Sequence, residues 1–148
     1  MGSNAWIWIV AVIIVIIILI LLWVWVLPAQ PKPPVTDNIF NVTVAEKTPN
    51  NKNYGRCSNL CFVINGEESK VLRLKDGETY RFVVRTKGHP FYLTTSSSGG
   101  VGAPGAIGEP RVPMESGSFP LVASKDLPQP LYYECALHEY MGARIIVE

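Results

Sequence analysis

The chain has 148 residues with 13 Lys or Arg, 12 Asp or Glu and two His, a formal charge of +1. Only Lys32 is charged within residues 1–36, so the remaining stretch of about 110 residues is formally neutral, enough for one core and too little for two. A domain that neutralises phosphates carries a basic excess, so nucleic acid is excluded as a partner.

Residues 1–4 read as a short tail. Met1-Gly2-Ser3-Asn4-Ala5-Trp6 begins like a myristoylation signal but has Trp6 where Ser or Thr is required. Ala5–Leu27 is then a run of 23 uncharged, mostly apolar residues, and ~20 suffice for a helix to cross a bilayer. Trp6 and Trp8 mark one end and Trp23 and Trp25 the other, ~30 Å apart on a helix, the spacing of two membrane interfaces. A cleaved signal peptide fits less well: there is no basic start, the apolar run is too long, and Leu27-Pro28-Ala29 is a poor cleavage site. The sequence therefore predicts a transmembrane helix over 5–27 that anchors the chain in the lipid bilayer. Asn41-Val42-Thr43 has the glycosylation pattern, and Cys57 and Cys61 suit an oxidising compartment, which places the domain on the non-cytoplasmic side. Lys32, beside the span, pulls the other way under the positive-inside rule.

Residues 28–36 form a Pro-rich linker, because Pro28, Pro31, Pro33 and Pro34 favour an extended, polyproline-like spacer. From 37 to 148 the apolar period becomes two. Strands are expected at Ile39–Val44, Cys61–Ile64, Val71–Leu74, Thr79–Arg85, Phe91–Thr94, Phe119–Val122, Leu131–Cys135 and Arg144–Val147. Asn65-Gly66 and Asp76-Gly77 are turn signals; the first suits a hairpin with φ > 0 at both positions. Short strands this closely spaced, without a helical pattern between them, predict an all-β sandwich or barrel. Residues 96–118, rich in Gly, Ser and Pro, break the rhythm and read as a long mobile excursion.

The chemistry-bearing residues concentrate near the end. Cys135, His138 and Met141 stand at C-x2-H-x2-M spacing, and the other histidine, His89, lies 46 residues before Cys135 in Gly88-His89-Pro90-Phe91. Two imidazoles, a thiolate and a weak thioether are the donor set of a blue-copper electron-transfer centre. If Leu131 and Tyr133 face the core, Cys135 does too, and a loop from Ala136 to Gly142 carries His138 and Met141 at one end of the sandwich. His89, after the strand ending at Arg85, can reach the same end. Cys57, Cys61, Cys135 and His138 also make a zinc set, but that reading leaves His89 and Met141 without a role. A Cys57–Cys61 disulfide needs a turn between them, since four extended residues span ~13 Å.

The segment Cys135-Ala136-Leu137-His138-Glu139-Tyr140-Met141-Gly142, with Ile64-Asn65-Gly66, Leu72-Arg73-Leu74, Gly77 to Phe82 and Gly88 to Tyr92 upstream, resembles the cupredoxin family. The short loop is most similar to amicyanin, whereas plastocyanin-type loops are longer between His and Met. The resemblance covers roughly Phe62 to Glu148. It implies a Greek-key β-sandwich and one type 1 copper ion on His89, Cys135, His138 and Met141. It also implies that electrons pass to a redox partner at the exposed edge of His138, among Leu137, Tyr140 and Pro90. The 96–118 excursion and the pair Cys57 and Cys61 depart from the family pattern. Two functions result: a membrane-anchored copper protein carrying single electrons, or a cupredoxin-like module without redox-active copper acting in a membrane-associated assembly with neighbouring subunits. In neither is the chain an enzyme, because both histidines are committed and none remains for a second copper centre or a hydrolytic triad.

Overall fold

The structure, a computed structural model, describes residues 4–26 and 38–148, with side chains of the N-terminal helix described for 6–18. The chain divides into two compact units, Met1–Pro34 and Val35–Glu148. Helix α1, Asn4–Val26, has no acidic residue in its first turn and no basic one in its last. Its described side chains are largely exposed, including Trp6, Trp8 and Ile13 to Ile18. Among the described residues no helix is long and apolar enough to cross a membrane. The transmembrane helix expected over 5–27 is therefore not shown among the described residues. The side chains of Trp23 and Trp25, most of the 1–4 tail and the 28–36 linker with Lys32 lie outside the described residues.

The second unit is a sandwich of two sheets. The first contains β1 (Ile39–Glu46), β2 (Leu60–Ile64), β3 (Glu67–Glu68), β5 (Thr79–Arg85) and β7 (Ser116–Val122), ordered β3-β2-β1-β5-β7. The other contains β4 (Leu72–Leu74), β6 (Phe91–Thr94), β8 (Leu131–Cys135) and β9 (Ala143–Val147), ordered β4-β9-β8-β6. Every expected strand is present, some shifted by a few residues at their ends. The two-residue strand β3 was not foreseen. Asn65 and Gly66, at φ 50° and 87°, close the β2–β3 hairpin with Ile64 opposite Glu67. A side chain at positive φ is tolerated here because Asn65 bonds the neighbouring strand: its Oδ1 accepts from Asn41 N at 2.8 Å and its Nδ2 donates to Ile39 O at 2.9 Å. β1 runs parallel to β5 and β4 parallel to β9, while the other pairs are antiparallel. Pro120 sits in β7, an edge strand, where a missing N–H costs least.

Alternation sends Tyr80, Phe82 and Val84 inward from β5 and Leu131, Tyr133 and Cys135 inward from β8, all buried. Phe62, Phe82, Phe91, Phe119 and Tyr133 meet between the sheets with ring centroids 5.0–6.4 Å apart. Such contacts add to the ~1.5–3 kcal/mol that burying each large apolar side chain contributes. All four residues of edge strand β6 are buried.

That burial explains the 96–118 segment, which is not a free excursion. Ile107 N donates to Leu93 O at 2.8 Å, Thr94 Oγ1 to Pro104 O at 3.1 Å, and Phe91 exchanges backbone bonds with Met114. An uncovered edge leaves strand N–H and C=O groups unpaired; the segment supplies partners along β6 and packs Ile107 and Met114 against the core. Its last three residues belong to β7.

Candidate metal centre

Two connections at one end of the sandwich carry the predicted ligands. The β5–β6 turn bends at Gly88, φ 78°, with His89 N bonded to Thr86 O at 2.7 Å. The β8–β9 loop leaves the core at Cys135. Leu137 N points at Cys135 Sγ, 3.4 Å away, and Tyr140, at φ 58°, turns the chain back. The two connections are joined through Ala136 N to Pro90 O at 2.9 Å, continuing the β6–β8 register in which Phe91 faces Cys135. Sheet pairing therefore brings His89 to a loop 46 residues further along the chain.

The loop rests on two glycines. Gly99 lies where a Cβ would come within 2.7 Å of both Cys135 O and Glu134 Cβ, and Gly142 where a Cβ would come within 1.6 Å of Tyr133 O. Tyr140 N bonds Ser98 O at 2.7 Å, Gly100 N bonds Cys135 O at 2.8 Å, and Phe62 N bonds Met141 O at 2.7 Å. The segment that opens the Gly-rich stretch is thus part of the wall of the site.

His89 and His138 face each other through Nδ1 atoms 3.2 Å apart, and Cys135 Sγ lies 3.7 Å from His138 Nδ1. One donor atom from each of His89, Cys135 and His138 falls within 4.8 Å of the others. Donors held at ~2 Å (nitrogen) and ~2.3 Å (sulfur) from one small cation, at tetrahedral to trigonal angles, lie roughly 3.3–3.8 Å apart, which the two distances from His138 Nδ1, 3.2 and 3.7 Å, approach. Cys135 is buried, His89 half-buried and His138 exposed. Met141 is fully buried in the core cluster, three residues beyond His138. Cys57 and Cys61 are free thiols, the first exposed and the second buried. Among the described residues neither joins the donor cluster, which disposes of the zinc set. Cys57 Sγ instead donates to Glu139 Oε2 at 3.3 Å.

Burial pushes the His89 pKa down, helped by His138 and opposed by the Glu115 carboxylate. Burial pushes the Cys135 thiol up, with the Leu137 and His138 amides working against it. A bound cation would therefore be what makes this sulfur a thiolate, and its loading would release a proton.

Glu134 was not singled out in the sequence. Alternation along β8 turns it away from the core, yet it is only 1% exposed because the Gly99 and Gly142 backbones lie over it. Its Oε2 accepts from Gly142 N at 2.9 Å, and burial lifts its carboxyl to about 8. The folded pKa exceeds the unfolded one, so the neutral acid's contribution to stability is complete below about 4.5 and is lost as pH rises through about 8. The metal-free chain should lose up to a few kcal/mol of unfolding free energy across that window, and Glu134→Gln, which keeps an acceptor for Gly142, should flatten the profile. Chemical denaturation of both chains at a series of pH values checks this; parallel profiles would refute it.

Fold and site together define a β-sandwich with a mononuclear donor set of two imidazoles and one thiol at one end. No protein-family model matches the chain, and no curated protein does. Among solved structures it is similar to rusticyanin from Thiobacillus ferrooxidans, at 18% identity and TM-score 0.47, covering 76% of this chain and 79% of that one. It is also similar to a histidine-to-methionine variant of rusticyanin, at 18% identity and TM-score 0.43, covering 76% and 80%. At this level of similarity neither bears on the metal or the function of this chain.

Proposed function

We propose that the chain is a membrane-anchored type 1 copper protein of cupredoxin type that carries single electrons to or from a redox partner. The observation that carries this reading is the convergence of His89, Cys135 and His138 donor atoms within 4.8 Å of one another. Copper held there supplies a one-electron couple. Cys135 is the soft donor and, as a thiolate, the covalent route for the electron. His89 and His138 would supply imidazole nitrogen, and Met141 would add a weak thioether contact that favours the reduced ion. The scaffold keeps these groups in place whichever charge the ion has, because both carrying segments are bonded to the sheets and to each other. His138 is the exposed member, so its ring edge, beside Leu137, is the port through which a partner exchanges electrons. Both histidines of the chain are committed to the ion, so none remains for a hydrolytic triad.

The test is a copper(II) titration of the reduced full chain in detergent, followed by visible absorption. One equivalent should raise an intense thiolate-to-copper band; a folded chain that stays colourless refutes the copper reading.

Anchoring by residues 5–27, with the domain on the non-cytoplasmic side, belongs to the same proposal. It is supported by the uncharged run and by a helix apolar on all its described faces, a pattern suited to lipid or to a buried core. The full chain should resist alkaline extraction from membranes and the variant Ile14→Lys/Ile17→Lys should not; extraction of both alike would end the anchoring proposal.

A further inference from the structure

The turn that carries His89 is held from one side by the segment 114–116. At the turn's start, Thr86 N bonds Glu115 O at 2.8 Å, and at its end Phe91 N bonds Met114 O at 2.8 Å while Met114 N bonds Phe91 O at 3.0 Å. Between these two backbone attachments the Glu115 side chain reaches into the turn, and its Oε2 accepts from Gly88 N at 2.8 Å. Gly88 has φ 78°, a conformation that glycine alone adopts readily; the 88–89 peptide is held by His89 N on Thr86 O, and the carboxylate holds the Lys87–Gly88 peptide before it. Rotation of the Lys87–Gly88 peptide changes the Gly88 φ and re-aims the turn that carries His89, whose imidazole sits 3.2 Å from His138.

We propose that Glu115 is a positioning residue for the centre: its carboxylate clasps the Gly88 amide and so holds the His89 imidazole on the ion. The inference rests on the copper reading above. An exposed carboxylate at a turn could serve folding alone, but the placement of this one points to the site: its bond goes to the residue next to a ligand, between two backbone attachments of the same turn. Groups that orient a metal ligand in this way typically hold ~10–100-fold of the affinity.

The test compares the full-length chain with Glu115→Ala and Glu115→Gln, by competition for copper(II) against a chelator and by hydrogen exchange at Gly88 in the metal-free chain. Glu115→Ala should weaken copper binding ~10–100-fold and speed Gly88 exchange. Glu115→Gln, which keeps an acceptor oxygen, should retain Gly88 protection and recover most of the affinity. Unchanged copper affinity in Glu115→Ala overturns the proposal, as does an equal loss in both variants, because charge alone then accounts for the effect. A wild-type chain that takes up no copper is a different result and removes the copper reading itself.

Discussion

Replacing Cys135 by Ser is expected to abolish the visible copper band outright while leaving a folded β-sandwich. Serine nearly matches the thiol in size, and its hydroxyl can still accept from Leu137 N, now 3.4 Å from the sulfur. Cys135 is fully buried, so a hydroxyl there costs about 1–3 kcal/mol if imperfectly bonded, which a domain of this size tolerates. An alcohol oxygen cannot provide the low-energy charge transfer of a soft thiolate, nor its affinity for copper in its reduced state. Met141→Leu, a volume-conserving change, should keep the band and shift the reduction potential, since it removes only a weak donor. Visible spectra of the three copper-titrated chains decide the matter. A persistent band in Cys135→Ser removes the thiolate from the mechanism, and bleaching by Met141→Leu overturns the assignment of Met141 as a weak donor.

The second large effect concerns Gly142→Ala, which should destabilise the chain by ~3 kcal/mol or more, at or beyond the upper end of ordinary overpacking. The new methyl would stand 1.6 Å from Tyr133 O and 2.7 Å from Tyr133 C, both backbone atoms of the strand β8. A side chain could swing away; this backbone cannot, because Tyr133 is paired with Leu93 on one side and Ala143 on the other. The Gly142 dihedral lies outside the left-handed region, so the cost is purely one of space. Relief has to come from lifting the 136–142 loop, which breaks the Gly142 N bond to Glu134 and displaces His138. Urea unfolding of the metal-free chain measures the loss, and copper affinity should fall with it. A change below about 1 kcal/mol would show that the loop is not seated as described.

Local rules account for most of the strands. The alternation in Thr79–Arg85 and Leu131–Cys135 assigned inward faces that the structure keeps, and Asn65-Gly66 adopted the positive φ pair its turn type requires. These features depend on neighbours within a few residues, where side-chain period and backbone sterics act directly. The parallel pairing of β1 with β5 and β4 with β9 was not legible, because strand partners are chosen across long chain separations by shared burial. Glu134 was not legible for a related reason: alternation turns it away from the core on β8, and its burial comes from the glycines at 99 and 142 laid over it. Residues 96–118 looked mobile because their composition is poor in bulky apolar groups, yet the uncovered edge of β6 gave them backbone partners.

By itself the sequence determined which chemistry was on offer: three thiols, two imidazoles and a thioether close behind the second imidazole, on short strands and turns whose local form follows from side-chain period and glycine placement. Only the tertiary structure decided that His89, Cys135 and His138 meet while Cys57 and Cys61 stay apart from them, and that the carboxyl groups of Glu115 and Glu134 accept from Gly88 N and Gly142 N on either side of the site. The physical reason is that donor convergence is set by sheet register, and register by burying one common core. No spacing along the chain encodes that outcome.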